Sequence, residues 1–245
     1  MTVWGIADLH LSFARPMRRE RYAARWADHA ARIEQHWREA VRPGDVVLVP
    51  GDISMARNHR ELQPDLAWLD QLPGTKVLSA GNHDRWFNRV EAIRPMLRPS
   101  LRAVGGDAVG LPGLIVCGTR GVPPWPEEAV PPERREELQR ELAALEAALG
   151  CAGGLRAAGE PILVLWHYPP FDEFGRPGPC VERLEAAGVA HCLYGHVHAE
   201  GQWSRMVQGL VRGVRYHCVA ADAIGFHPLR IAEVGAGEGG IGSPP

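Results

Sequence analysis

The chain has 245 residues, 45% of them hydrophobic and 23% charged, a globular composition that excludes disorder throughout and suits one large domain burying roughly 70–75% of its unfolded surface. Lys and Arg number 27 against 29 Asp and Glu, a formal charge of −2, so no global positive field exists to hold an extended nucleic acid. The longest apolar runs, such as Ile162–Trp166, fall far short of the ~18–20 residues of a bilayer span, which excludes a membrane role and reads as a soluble chain.

In chain order, Val3–Ala7, Val46–Val49, Lys76–Ser79, Leu114–Cys117, Ile162–Trp166, His191–Tyr194 and Tyr216–Val219 are short β-branched or apolar runs that read as strands. Longer helical patterns separate them, and strands alternating with helices imply a layered α/β architecture. The first strand leads straight into polar residues with no basic and apolar leader before it, so no secretion signal is read and the expected location is cytoplasmic. Tyr22, Trp26, His29, Ile33 and Trp37 recur every three or four residues, giving a helix with one apolar stripe that ends before Pro43-Gly44. His59–Asp70 and Arg85–Leu97 read as two more helices.

The rhythm changes around residues 119–158, where Pro123, Pro124, Pro126, Pro131 and Pro132 precede a helix carrying Leu138, Leu142, Leu145 and Leu149 that Gly150 should stop. This stretch reads as an insertion in a single domain over 1–235, with its leucines facing a core. Residues 236–245, poor in apolar side chains, are expected to be a disordered tail. Cys117, Cys151, Cys180, Cys192 and Cys218 are an odd set without C-x-x-C spacing, as expected of free thiols in a reducing compartment.

Five polar strings fall where a strand should end: Asp8-Leu9-His10, Gly51-Asp52, Gly81-Asn82-His83-Asp84, Trp166-His167-Tyr168 and Gly195-His196-Val197-His198. Side chains two apart on extended backbone point the same way, so Asp8 with His10, and His196 with His198, read as chelating arms. Gly51, Gly81 and Gly195 mark where backbone turns sharply or passes close to another atom. Asp8, His10, Asp52, Asn82, His167, His196 and His198 are more donors than one ion uses. Two ions accommodate them, with Asp52 as the carboxylate that bridges both. Two divalent cations against two carboxylates leave a positive pocket that favours a phosphate ester.

In this order the strings resemble the calcineurin-like metallophosphoesterases, whose pattern runs D-x-H, GD, GNHD, a lone His and GHxH, and the match spans Asp8 to His198. The resemblance implies a four-layer α/β/β/α sandwich with a dinuclear metal site at the strand C-terminal ends. It places Asp8, His10, Asp52 and His198 on one ion and Asp52, Asn82, His167 and His196 on the other, with manganese the leading candidate and iron or zinc as others. It also implies that His83 is not a ligand but reaches the scissile phosphate, with Asp84 orienting its ring. The implied reaction is hydrolysis of a small phosphomonoester or phosphodiester, nucleotides included, by in-line attack of hydroxide held by the ions. A nuclease of the same fold and a non-catalytic metal-binding interaction module are the alternatives. Many members carry a further acid two residues after the Asp of GD; here Ile53, Ser54 and Met55 follow, which leaves open what supports Asp52.

Outside these strings, Arg120 is a candidate contact for substrate phosphate, set against a loop salt bridge. Arg15, Arg18, Arg19, Arg21 and Arg25 read as a solvated helix start. Tyr168 and Phe171 read as packing beside Pro169-Pro170 before stacking on a substrate ring. His29, His36, His59, His191, His217 and His227 fit no motif.

Overall fold

Strands that are apolar at every position, not at alternate ones, must be covered on both faces. In the computed structural model, which describes residues 1–14, 24–125, 130–157, 159–235 and 241–242, β2 (Val46–Pro50), β7 (Ile162–Trp166) and β8 (His191–Tyr194) are buried at every residue. They form the middles of two mixed sheets. The first runs β12 (Ile241–Gly242), β11 (Leu229–Val234), β1 (Thr2–Gly5), β2, β3 (Thr75–Ser79), β4 (Leu101–Ala103). The second runs β5 (Asp107–Leu111), β6 (Leu114–Thr119), β7, β8, β10 (Val214–Cys218), β9 (Gly209–Val211). Pairing is parallel from β1 to β4 and from β6 through β8 to β10, and antiparallel at the margins.

The alternation of side chains sorts three apolar clusters. Val47, Val49 and Leu78 face Ile33 and Trp37 of α1 (His29–Ala40) and Leu62, Leu66 and Leu69 of α2 (His59–Gln71). Their neighbours Val46, Leu48 and Val77 turn the other way and meet Leu114, Val116, Leu163, Leu165 and Leu193 from the second sheet. On the far side, Cys117, Val164 and Cys192 pack against Leu138, Leu145, Ala148 and Ala152 of α4 (Arg135–Leu155) and Val181 and Leu184 of α5 (Val181–Ala186). The fold is therefore α/β, two mixed sheets flanked by helices. Among the described residues no helix is long and apolar enough to cross a membrane.

Several element boundaries differ from the sequence reading. α1 begins at His29 after Asp28 takes a left-handed turn (φ 52) and a short 3-10 turn at Ala24–Trp26. Tyr22, Arg15, Arg18, Arg19, Arg21 and Pro126 lie outside the described residues. The helix expected over Arg85–Leu97 shrinks to α3 (Val90–Ile93) and a 3-10 turn at Arg94–Met96. The first residues after Asp84 are spent on a turn, with Phe87 N–H bonded to the Asp84 carbonyl at 2.9 Å. α4 runs past Gly150 to Leu155 because Ala148 and Ala152 are buried against the sheet, and that packing outweighs the ~1 kcal/mol helix cost of a glycine. Strands β4, β5, β9, β11 and β12 went unread. The β9–β10 hairpin turns through Arg212 and Gly213, both at positive φ (49 and 86), a type I′ turn in which arginine gives no warning. Ile241 and Gly242 pair with β11, and the rest of 236–245 lies outside the described residues.

All five cysteines are free, and four are buried while Cys151 is exposed. A disulfide-exchange thiol reagent should therefore titrate one thiol per native chain and five after denaturation; a second fast thiol in the native protein would contradict this packing. Burial holds the paired rings of His191 and His217, 2.9 Å apart Nδ1 to Nε2, down to about 4 and about 3. The unfolded chain takes up these protons near the ordinary 6.5 and the folded chain resists them. Stability should accordingly fall as pH drops from about 6.5 toward 4, and urea unfolding of His217→Phe across that range should show a shallower fall than the unaltered chain.

Candidate metal centre

Parallel strands end on the same side of a sheet, and here five strand ends from two sheets meet. Asp8 follows β1, Gly51-Asp52 follows β2, Gly81–Asp84 follows β3, His167 follows β7 and Gly195–His198 follows β8. Backbone bonds lock the strings to one another: Asp8 N–H to Gly51 O (3.0 Å), His10 N–H to Asp52 O (2.9 Å) and Gly195 N–H to His167 O (2.9 Å). The chelating arms are not extended, contrary to the sequence expectation. Asp8, His10, Asp52 and His196 are left-handed, at φ 58, 43, 51 and 72. Such residues cost free energy and persist only where surrounding structure imposes them. They aim their side chains inward by a turn of backbone, not by strand alternation.

Glycines make the approach possible. A Cβ at Gly81 would lie 2.1 Å from Asp52 Oδ1, and one at Gly195 would lie 2.3 Å from Asp8 Oδ2. Both distances are inside contact range.

Two groups of ligand atoms result, Asp8–His10–His198 and Asp52–His167–His196, each with its atoms within 4.8 Å of one another. Asp52 stands between them. Its Oδ1 accepts the His83 N–H at 2.8 Å, whereas Oδ2, though buried, accepts no hydrogen bond among the described residues. That oxygen is 3.9 Å from His10 Nε2 in one group and 3.6 Å from His167 Nε2 in the other. Asn82 joins the second group through Oδ1, 2.9 Å from His167 Nε2.

The proton count tests whether a cation fits. His167 Nδ1 is 3.0 Å from the Pro50 carbonyl, which can only accept, so Nδ1 carries the ring proton. Burial pushes this imidazole's pKa down and keeps it neutral, leaving a lone pair on Nε2 that faces the Asn82 oxygen. With the amide turned this way, two acceptors stand 2.9 Å apart with no proton between them, an arrangement that a cation would compensate. Elsewhere the same sign recurs. Burial holds His10 down to about 3 and His196 to about 4, the neutral form that ligates. Burial, with Asp52 and Asp222 nearby, drives Asp8 well above the usual carboxylate range despite the opposing pull of His198. For Asp52 burial also pushes upward, but His167 and His10 outweigh it and the carboxyl lies below its ordinary value. The residues present fit two cations sharing Asp52.

All seven expected ligands converge. His83 lies at the rim, its Nε2 4.0 Å from Asp52 Oδ2 and its ring about half exposed. Asp84 does not orient it. The buried Asp84 carboxylate accepts the N–H groups of Ile53 (3.0 Å), Ser54 (2.9 Å) and Gly81 (2.8 Å) and the Trp86 indole (3.2 Å), so it clamps the Asp52 loop to the Asn82 loop. This is the support for Asp52 that the sequence left open. Burial and the Asp52 charge raise its carboxyl to about 7. The Arg120 guanidinium is paired with Glu137 (2.7 Å) and Glu141 (3.3 Å) of α4, the loop salt bridge set against a phosphate contact. Phe171 is core, edge-on to Tyr216, while the half-buried Tyr168 ring lies 4.4 Å from that of His196. Arg25 is a third exposed and sits beside the buried Asp222. Asp222 escaped the sequence reading, and Trp26 was read there only as part of a helix's apolar stripe. Trp26 is edge-on to both His10 and His198, and Asp222 bonds His198. An acid shortly after a strand, the feature that marked Asp52, was also present at Ala221-Asp222.

A model of the calcineurin-like phosphoesterase family matches residues 1–200. Gene 66 protein of Mycobacterium phage D29 is 39% identical over 83 residues, 34% of this chain and 40% of that one. Gene 66 protein of Mycobacterium phage L5 is 31% identical over 102 residues, 42% and 45% of the two chains. The chain thus matches less than half the length of these curated relatives. Among solved structures, the phosphopantetheinyl hydrolase PptH from Mycobacterium tuberculosis shares the fold at TM-score 0.53 and 16% identity, over 89% of this chain and 88% of that one.

The clamp makes a prediction. An amide at 84 turns two acceptor positions into donors facing N–H groups, so Asp84→Asn should cost about 3 kcal/mol or more in urea unfolding. Unchanged stability with reduced turnover would instead restore Asp84 as an orienting partner of His83.

Proposed function

The chain belongs to the calcineurin-like phosphoesterase family, and we propose that it hydrolyses a small phosphomonoester or phosphodiester, nucleotides among the candidates. The observation that carries this is the pair of ligand groups joined at Asp52, with a half-exposed imidazole beside them. When bound, two cations supply Lewis acidity at a phosphoryl group and an acidified water at neutral pH. Manganese is our assignment, because mixed nitrogen and oxygen ligands without thiolate suit it; iron and zinc share that chemistry.

The chain's own groups then divide the remaining work. Asp8 and Asp52 bring the two carboxylates that hold the cations. His10, His167, His196 and His198 add neutral donors, and neutral ligands leave net positive charge for a phosphate dianion or monoanion. His83, tethered through its own N–H to Asp52, is placed to donate a hydrogen bond to a phosphoryl oxygen or a proton to the leaving alkoxide. A small substrate agrees with the balanced overall charge, which offers no field for an extended polyanion. Five unpaired thiols support a reducing compartment, the cytoplasm.

The test is turnover of aryl phosphate mono- and diesters by manganese-loaded protein. His83→Ala should lower kcat by about 10²–10⁴-fold with the metal still bound. Asp52→Asn should lose both metal and turnover, and chelator treatment of the unaltered chain should reproduce that loss. Full activity in both variants would overturn the assignment.

A further inference from the structure

His198 contributes the last donor of the first group, and its ring is held from behind. Nδ1 lies 3.1 Å from Asp222 Oδ1, and the Asp222 side chain is wholly buried. The other ring nitrogen, Nε2, points to 3.3 Å from His10 Nε2 and 3.7 Å from Asp8 Oδ1. One imidazole therefore spans two buried carboxylates. Backbone pairing creates this arrangement: Ala7 bridges Ala220, with Ala7 N–H to Val219 O at 2.7 Å and Ala221 N–H to Ala7 O at 3.1 Å. Asp8 is the next residue on one side of the bridge, and Asp222 is the second residue on the other.

Asp222 is not simply the counter-charge of Arg25. Arg25 Nε is 3.4 Å from Asp222 Oδ2, but the same guanidinium reaches Glu200 at 3.5 Å and donates to the His198 carbonyl. Arg25 thus packs behind the pair, and His198 has the direct hydrogen bond. His167 in the second group shows the same device with a weaker partner, the uncharged carbonyl of Pro50.

We propose that Asp222 is a positioning residue of the centre: its buried carboxylate fixes the ring plane and the Nδ1 proton of His198, so that Nε2 is presented to the first cation as a strengthened donor. This rests on the two-cation reading. Partners behind a ligating imidazole set its tautomer and basicity, and losing them costs metal affinity about 10–100-fold. Asp222 is paired with His198 and lies 3.4 Å from Arg25, so its negative charge reaches the first group through the imidazole, and removing it should weaken cation binding there.

Calorimetric titration of the full metal-free chain with Mn²⁺, alongside melting of the metal-free proteins, tests this. Asp222→Ala should weaken one of two Mn²⁺ equivalents by about 10–100-fold and leave the other in place. Asp222→Asn should lose less, since an amide oxygen still accepts from Nδ1, so Mn²⁺ affinity should follow the acceptor at Nδ1 and not the melting temperature of the metal-free proteins. Unaltered Mn²⁺ binding in both variants overturns the proposal. So does an equal loss at both equivalents accompanied by lower melting, the signature of a structural prop. A native chain that binds no Mn²⁺ overturns the two-cation reading itself. Should either variant fail to fold, long-range ¹⁵N–¹H spectra of the unaltered protein at about pH 9 decide: a neutral His198 ring protonated at Nδ1 supports the assignment, and one protonated at Nε2 refutes it.

Discussion

The centre is an excess of acceptors facing one another. Asp52 Oδ2 is buried without a hydrogen bond among the described residues, and the His167 lone pair confronts the Asn82 oxygen at 2.9 Å. Asp8 is buried beside a second and a third carboxylate. Each of these costs free energy in a low-dielectric interior unless positive charge compensates it. Much of the neighbouring structure can be understood as what is required to hold those acceptors together.

The holding is done mainly by backbone. Left-handed turns at four ligands and glycines that admit carboxylate oxygens to within a Cβ's reach bring side chains from two sheets into one place. Asp84 adds a side-chain restraint, since one carboxylate gathers N–H groups from both the Asp52 and Asn82 loops. The imidazoles are treated differently on their outer faces: Pro50 carbonyl behind His167, Asp222 carboxylate behind His198. The two halves of the centre thereby differ in their carboxylates, with Asp8 and Asp222 around one and the shared Asp52 serving the other.

The apolar core accounts for why the ends of the strands are available at all. Complete burial of β2, β7 and β8 places their polar continuations at one edge, where Pro50, Trp166 and Tyr194 give way to Gly51, His167 and Gly195. Covering α4 against the second sheet pairs Glu137 and Glu141 with Arg120, while His83 stands half-exposed at the rim of the centre.

What the sequence determined by itself was the alternation of buried strands with helices and the seven candidate donors that the fold brings together. Both are written locally: runs of β-branched residues declare strands, and short polar strings at their ends declare ligands. Only the tertiary structure decided which way those donors point, that Asp84 binds backbone and not His83, that α4 continues through Gly150, and that Asp222 stands behind His198. These depend on partners distant in the chain, such as Ala7 with Ala220 or Asp84 with Ile53. A hydrogen bond between residues far apart in sequence leaves no periodic trace in it, because the energy that selects the partner comes from the packing that brings them together.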